Sequence, residues 1–260
     1  MMRRLIGSLT NSLGYEIRRK QGLHGRGYAA LGYDLEEEAY ENISKIRSHT
    51  MCSYERLVTL YQQVVFCERA GISGDFVECG TWKGGIVGLM ALGNLRHGRA
   101  RRHLHLFDSF EGVPEPDEAF DGSLAVEEAR SVGGGTSGKL RALPLSVGTL
   151  EVNKELLEQA IGYDPQYLHY HKGWFQETLP SEAEEVGQIA ILRLDGDWYA
   201  STKVCLDYLY DKVVSGGFVI IDDYGNYEGC KKAVEEFMQE RQIKAYLNHI
   251  DYTGRYWIKP

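Results

Sequence analysis

Short apolar blocks alternate along the chain with segments of helical periodicity, beginning near Tyr54. Runs rich in Val, Ile, Leu and Phe predict buried strands, and apolar residues that repeat every three or four positions predict helices. The predicted strands are Asp75–Cys79, His103–Phe107, Gln166–His171, Ile189–Leu194 and Phe218–Ile221. The predicted helices are Tyr54–Arg69, Ile86–Leu95, Leu150–Ile161, Ser201–Val214 and Gly229–Arg241, and Ser181–Glu185 belongs to a further helix with Ser181 as candidate N-cap. This alternation predicts a parallel sheet with helices on both faces.

The C-terminal segment changes the pattern. Ala245–Ile250 and Arg255–Ile258 flank Tyr252-Thr253-Gly254, which predicts an antiparallel hairpin. Five βα units that end in such a hairpin resemble the sheet of the class I methyltransferases. We therefore expect an α/β, Rossmann-like sheet with strand order 3-2-1-4-5-7-6.

The predicted organisation is an N-terminal helical arm or lid over residues 1–53 and a class I methyltransferase domain over 54–260, with a lid insertion at about 111–150. In the arm, Leu5, Leu9, Leu13 and Ile17 repeat every four residues among mostly basic charges, which indicates an amphipathic helix. The arm either packs on the body or a second subunit, or forms a lid or a basic surface. The stretch from Glu111 is longer than an ordinary βα connection, so it is functional or disordered.

Composition restricts the classes of function. The chain has 260 residues, 43% of them apolar, and a net charge of −8, which argues against a nucleic-acid binder. It has no apolar run of about 18 residues, and no apolar segment follows Met1-Met2-Arg3-Arg4, so we expect neither a membrane span nor a secretory signal. Five cysteines without a CxxC pair argue against a disulfide framework or zinc finger, and favour reduced, buried thiols in a cytoplasmic protein.

A glycine-rich segment follows the first predicted strand. Ligands of such sheets bind beyond the carboxyl ends of the strands. Here the chain reads Glu78-Cys79-Gly80-Thr81-Trp82-Lys83-Gly84-Gly85, which is not the G-x-G-x-x-G of a nicotinamide site. A carboxylate just before the first glycine suits a ligand with an ammonium group, such as the amino-acid end of S-adenosylmethionine. The alternative is a tight turn without a ligand.

Two more strand ends offer ligand contacts. Asp108 and Ser109 follow the second strand, where an acidic residue holds a ribose diol or caps the next helix. Gly173, Trp174 and Phe175 follow the third strand, where aromatic rings either flank an adenine or belong to the core.

Aspartates end the fourth and fifth strands. Asp195 and Asp197 flank Gly196, and Asp222-Asp223 follow the next strand. Adjacent parallel strands lie about 4.8 Å apart, so the carboxylates converge and repel unless a cation joins them. Oxygen ligands favour magnesium, manganese or calcium. The alternative is helix capping by each aspartate.

These motifs together resemble the macrocin O-methyltransferase family, whose members methylate sugar hydroxyls of macrolide and aminocoumarin antibiotics. The similarity runs from about Tyr40 to the C-terminus. It rests on Thr50–Arg56, Asp75–Gly85, Phe107–Gly112, Leu194–Thr202 and Gly216–Tyr224, which occur in the family's order. Trp198 and Ala200 depart from the pattern, since the family more often has a smaller apolar residue and a glutamate there.

The resemblance implies S-adenosylmethionine as cofactor and Mg²⁺ as metal. It implies that Asp195, Asp222 and Asp223 bind the metal, that Asp195 or Asp197 is the catalytic base, and that the protein is a homodimer or higher homo-oligomer. The implied cofactor-binding residues are Thr50, Met51, Glu55, Glu78, Gly80, Thr81, Trp82, Gly84, Asp108, Ser109, Gly173 and Trp174.

The predicted function is therefore Mg²⁺-dependent methylation of a sugar hydroxyl on a glycosylated natural product. Three alternatives stay open at this point. The acceptor is a phenol, a catechol or another small hydroxylated metabolite; the protein is a nicotinamide-dependent oxidoreductase on the same sheet; or it binds the cofactor without turnover.

Overall fold

Seven strands and eight α-helices make up the part of the chain that the structure describes, residues 32–260 of a computed structural model. The strands are β1 (Asp75–Cys79), β2 (Leu104–Asp108), β3 (Leu168–Lys172), β4 (Ile189–Leu194), β5 (Val213–Ile221), β6 (Asn248–His249) and β7 (Arg255–Ile258). The helices are α1 (Glu36–Ile46), α2 (Tyr54–Ala70), α3 (Gly85–His97), α4 (Gly122–Ser131), α5 (Leu150–Lys154), α6 (Phe175–Glu182), α7 (Tyr199–Leu209) and α8 (Glu228–Glu240). Residues Ala39–Pro260 form one compact unit.

The strands form one sheet in the order β3-β2-β1-β4-β5-β7-β6, which confirms the predicted fold class. The first five strands are parallel, and β7 pairs antiparallel with both β5 and β6. The strand order reverses between β1 and β4. In sheets of this kind the ligand lies at that reversal, outside the carboxyl ends of the strands.

Both faces of the sheet are covered. On one face, α6, α7 and α8 bury an apolar cluster that includes Val77, Leu192, Leu206 and Trp257. On the other face lie α2 and α3, and Phe66 of α2 packs edge-to-face on Phe218 of β5. Because β1 and β4 are covered on both sides, their side chains are almost all buried. That burial explains why apolar residues dominate both strands, with Glu78 and Arg193 as buried charged exceptions.

Local signals explain several helix boundaries. The Ser53 hydroxyl accepts a hydrogen bond from the Arg56 amide and so caps the start of α2. Gly71 ends that helix in the left-handed conformation, at φ +69°. Thr149 caps α5 in the same way as Ser53 caps α2. The chain then continues as a π-helix over Glu155–Ala160, so the predicted single helix is of two types.

Some predicted boundaries were wrong. Ser181 is not an N-cap, because α6 already begins at Phe175, behind Trp174. Strand β5 begins at Val213, five residues before the predicted Phe218. The segment Gly122–Ser131, part of the predicted lid insertion and without a predicted helix, is helix α4.

The predicted arm helix over Leu5–Ile17 lies outside the described residues. Over 32–260, no helix combines the length and the apolar character that a bilayer crossing requires. All five cysteines are buried free thiols, in agreement with the sequence analysis.

Candidate active site at the carboxyl edge of the sheet

A cleft with about 1160 Å³ of empty space, part of it open to solvent, lies at the carboxyl ends of the strands. Its walls come from the segment before α2, the loops after β1 to β5, and the insertion after β2. One more ladder hydrogen bond follows the last residue of β1, β3, β4 and β5. The amides of Gly80, Gly173, Asp195 and Asp222 donate to the carbonyl oxygens of Phe107, Asp108, Cys79 and Leu194, respectively, at 2.8, 2.9, 2.8 and 2.9 Å. The backbone at the start of each of these loops is therefore fixed by the sheet.

Gly80 turns the chain after β1 at φ +89°. A Cβ at this position would lie 1.9 Å from the Asp195 carbonyl oxygen, so only glycine fits. The amides of Thr81 and Trp82 then point at one oxygen of Asp108, at 2.6 and 3.1 Å. The turn is thus tied to the end of β2 by a carboxylate.

Asp108 and Ser109 line the cleft as predicted, and both also shape their own loop. The second oxygen of Asp108 accepts from the Phe110 amide at 2.6 Å. Burial raises the pKa of Asp108, while these amide hydrogen bonds lower it. The Ser109 hydroxyl donates to the Gly112 carbonyl at 2.6 Å. Backbone amides therefore fix both oxygens of this carboxylate at the border of the cleft.

Glu78 is fully buried in β1, at 0% exposure, and borders the cleft. Its Oε1 accepts from Arg193, whereas no donor in the described residues reaches Oε2. Burial raises the pKa of this carboxyl to about 8, although the Arg193 guanidinium acts in the opposite direction. A buried oxygen without a partner is costly. The position suits a ligand that brings a positively charged N–H donor.

The other predicted cofactor residues divide into two groups. Thr50, Met51, Gly173 and Trp174 border the cleft together with the residues above. Glu55 and Gly84 are not part of its lining. Gly84 has a structural role instead, since a Cβ there would lie 2.5 Å from the side-chain oxygen of Asn153.

The four aspartates at the ends of β4 and β5 all line the cleft. Asp195, Asp197 and Asp223 each offer a carboxylate oxygen within 4.8 Å of the others. Asp197 takes a left-handed backbone conformation, φ +56°, which turns it toward this group. Asp223 Oδ2 is buried and has no hydrogen-bond partner in the described part of the chain. Three oxygens at this spacing, one of them without a partner, fit a hard divalent cation.

Electrostatics separates Asp222 from that group. Its two oxygens pair with Arg193 and Arg56. Burial raises the pKa of Asp222 to about 6, and the two arginines act in the opposite direction and limit the rise. Burial raises the pKa values of Asp197 and Asp223 well above the usual range, and their neighbouring negative charges raise them further. Without a cation, Asp197 and Asp223 therefore favour the protonated form, and a bound cation would offset the charge of their ionised form. Asp222 also lies within 4.8 Å of Asp195, in a second group with Cys52, but both of its oxygens are paired with arginines. This pairing favours Asp197 over Asp222 in the metal set, and Asp222 as a ligand stays a prediction.

Two arginines of the site were not predicted. Arg193 lies inside β4 and is 3% exposed. Arg56 in α2 bonds Asp222 and, through Nε, Asp251 Oδ2 at 2.8 Å. The signal for Arg193 was present, because a charged residue inside the apolar run of a buried strand requires a partner.

The insertion after β2 is fastened to the body next to the aspartates. The Trp198 indole donates to the Pro114 carbonyl at 2.9 Å, and the Tyr199 amide donates to the buried Asp121 at 2.6 Å. Tyr227, which lines the cleft, donates to Glu128 of α4 at 2.7 Å. Trp198 does not line the cleft but lies behind its wall, and Ala200 is exposed on α7.

Comparisons with known proteins agree with this architecture. The sequence model described as Macrocin-O-methyltransferase (TylF) matches residues 19–259. A demethyldecarbamoylnovobiocin O-methyltransferase from Streptomyces niveus is 36% identical over 219 residues, which cover 81% of this chain and 75% of that protein. A mycinamicin III 3''-O-methyltransferase from Micromonospora griseorubida is 32% identical over 217 residues, covering 81% and 78%.

Solved structures show the same fold. The O-methyltransferase NovP superimposes with a TM-score of 0.68 at 31% identity, covering 86% of this chain and 94% of that one. The calicheamicin methyltransferase CalS11 superimposes with a TM-score of 0.56 at 18% identity, covering 94% and 99%, which supports the fold alone.

Proposed function

The chain belongs to the macrocin O-methyltransferase family and is an S-adenosylmethionine-dependent O-methyltransferase, and on this basis we propose that it methylates a sugar hydroxyl of a glycosylated natural product with the help of Mg²⁺. Family membership excludes the nicotinamide-dependent alternative. The acceptor class is supported by the relatives, whose names describe a novobiocin precursor and a mycinamicin. The oligomeric state and the cytoplasmic location stay predictions.

One observation carries the metal-dependent part of the proposal. Asp195, Asp197 and Asp223 lie in the same cleft as the Gly80 turn, and Asp223 has a buried oxygen without a partner. We propose these three aspartates as the ligands of Mg²⁺, in place of the predicted set with Asp222. When bound, S-adenosylmethionine supplies the methyl group, and Mg²⁺ supplies a Lewis acid that lowers the pKa of a hydroxyl.

The chain's own residues then have separate tasks. Glu78 receives the ammonium group through its free oxygen, and Asp108 receives the ribose hydroxyls. Trp174 flanks the adenine. Asp195 or Asp197 would take the proton from the acceptor hydroxyl, whose oxygen would receive the methyl group that the bound cofactor supplies. Alignment of the two substrates accounts for much of the acceleration.

Calorimetric titration with S-adenosylhomocysteine, with and without MgCl₂, tests the cofactor and metal assignments. We expect one saturable site per chain. Methyl transfer from labelled cofactor to glycosylated acceptors, with EDTA as the negative condition, tests the reaction. Transfer to catechols but not to glycosides would replace the sugar proposal with the phenolic alternative.

Asp195→Asn provides the sharpest single variant. It should abolish turnover and change the affinity for S-adenosylhomocysteine less than about threefold, because Asp195 is proposed to act on the acceptor and the metal. Asp207→Asn is the matched control, since Asp207 pairs with Lys203 on the outer side of α7. Full activity of Asp195→Asn would exclude both roles of Asp195.

A further inference from the structure

The buried guanidinium of Arg193 joins two carboxylates that border the cleft. Glu78 and Asp195 belong to different proposed subsites, for the cofactor ammonium and for the metal. Arg193 contacts both carboxylates and is itself almost completely buried, at 3% exposure. A buried arginine with several carboxylate partners needs a physical reason to be there.

Strand register explains the arrangement. Arg193 of β4 lies beside Glu78 of β1, so their side chains share a face of the sheet. Asp195 lies two residues further along, on the same face. On the other side, Arg193 pairs in register with Ile220, and Asp222 follows two residues later. One guanidinium therefore faces a carboxylate on each neighbouring strand.

The two terminal nitrogens divide these partners. Nη1 donates to Glu78 Oε1 and, at 2.9 Å, to Asp195 Oδ2. Nη2 donates to Asp222 Oδ1 and lies 3.2 Å from the Cys52 sulfur. The planar fork of a guanidinium holds several acceptors in fixed directions, whereas a lysine ammonium is a point charge with three donors on a flexible stem. The positions of the carboxylates thus depend on the fork as well as on the charge.

We propose that Arg193 is a positioning residue that holds Glu78 and Asp195 at the same nitrogen, so that the cofactor and metal subsites share one support. This inference rests on the proposed function. Through Oε1, Arg193 orients Glu78 so that Oε2 is left for the ammonium. Through Oδ2, it orients Asp195 beside Asp197 and Asp223.

Arg193→Lys tests the proposal because it keeps the charge and removes the fork. The Kd values of S-adenosylhomocysteine and of Mg²⁺ are measured separately by calorimetry, with thermal melting as a check on folding. We expect both Kd values to rise at least tenfold. Arg102→Lys is the matched control: the Arg102 side chain is 11% exposed and is also paired, with Glu68 at 2.6 Å, but lies outside the cleft lining. Its two Kd values should stay within twofold of the parent values.

A second pair of variants tests the proposal if Arg193→Lys does not fold. Arg193→Met combined with Asp222→Asn removes one positive and one negative charge, and it is compared with Asp222→Asn alone. The combined variant should still bind both ligands at least tenfold more weakly than the single variant. A folded Arg193→Lys with unchanged affinity for either ligand overturns the inference. If the parent protein binds neither ligand, the proposed function itself fails, so the two failures are distinguishable.

Discussion

Replacing Trp198 by phenylalanine tests how the insertion is held over the cleft. Trp198 is 2% exposed, its indole N–H donates to the Pro114 carbonyl at 2.9 Å, and its ring meets Tyr227 edge-to-face with centroids 4.9 Å apart. Phenylalanine keeps an aromatic ring but removes the donor and part of the buried surface. Pro114 lines the cleft, so a shift of Pro114 would change the shape of the cleft wall.

The expected loss follows from those contacts. A hydrogen bond of this kind contributes about 1 kcal/mol, and the smaller ring costs about another 1 kcal/mol in packing. Unfolding free energy should therefore fall by about 2 kcal/mol, which is roughly 4–8 °C in melting temperature for a chain of this size. Binding of S-adenosylhomocysteine should change less than twofold, because Glu78 and the Gly80 turn are untouched.

Limited trypsin digestion measures how firmly the insertion is held, because trypsin cleaves after Arg and Lys. The insertion contains the exposed residues Arg130, Lys139 and Arg141. Trp198→Phe should be cleaved there several times faster. Trp257→Phe is the control, because Trp257 is buried in the core away from the insertion. Its indole nitrogen has no hydrogen-bond partner in the described residues, so the substitution there removes packing alone. It should lose stability without faster cleavage. Equal cleavage of both variants, at equal stability, would refute the role given to Trp198.

Three further outcomes are expected. Asp223→Asn should raise the melting temperature in EDTA by a few degrees, about 1 kcal/mol, because burial raises the pKa of Asp223 and folding without a cation makes this carboxyl take up a proton. It should also abolish stabilisation by MgCl₂. Gly80→Ala should lose about 2 kcal/mol or more of stability and all measurable S-adenosylhomocysteine binding, since the methyl would lie 1.9 Å from the Asp195 carbonyl oxygen. Burial lowers the pKa of His169 to about 4, so its contribution to stability is present above the unfolded value near 6.5 and is lost as pH falls toward 4. Urea unfolding should show the parent losing about 1 kcal/mol, after allowance for partial exposure, relative to His169→Gln between pH 7 and 5.

Each of these outcomes has a clear contrary. Retained stabilisation by MgCl₂ in Asp223→Asn would remove Asp223 from the metal set. A stable, ligand-binding Gly80→Ala would mean that the turn after β1 rearranges. If the unfolding free energies of the parent and His169→Gln changed equally with pH, burial would not lower the pKa of His169.

The order of the sheet was predictable because the chain repeats a simple signal. Strands β1 and β4 are buried on both faces, so apolar residues dominate them apart from Asp75, Glu78 and Arg193, and their limits were found residue for residue. The start of β5 was not found, because Ser215, Gly216 and Gly217 interrupt the apolar run there. Helix α4 was missed for a similar reason, since it lies within a stretch whose glycines and prolines favour loops.

The site was predictable where chemistry lies at strand ends and less so within strands. The Gly80 turn and the aspartates follow strands, and topology alone brings them together. Arg193 lies within β4, and its partners depend on the register between β1, β4 and β5, which one sequence does not specify. The same limit applies to Asp197, whose approach to Asp223 depends on a left-handed backbone conformation at a residue other than glycine.

The ladder bonds that run one residue past the strands have a consequence for hydrogen exchange. The amides of Gly80, Gly173, Asp195 and Asp222 border an open cleft, yet each is donated to a neighbouring strand. They open only when the sheet opens, so their deuterium uptake follows the cooperative unit of the core, with or without ligand. The amides of Thr81 and Trp82 are held by a single carboxylate side chain instead, and their protection reports on ligand occupancy. The cleft border therefore contains two kinds of amide. Those bonded to a neighbouring strand exchange only when the sheet unfolds, and those of the turn after β1 exchange through local opening.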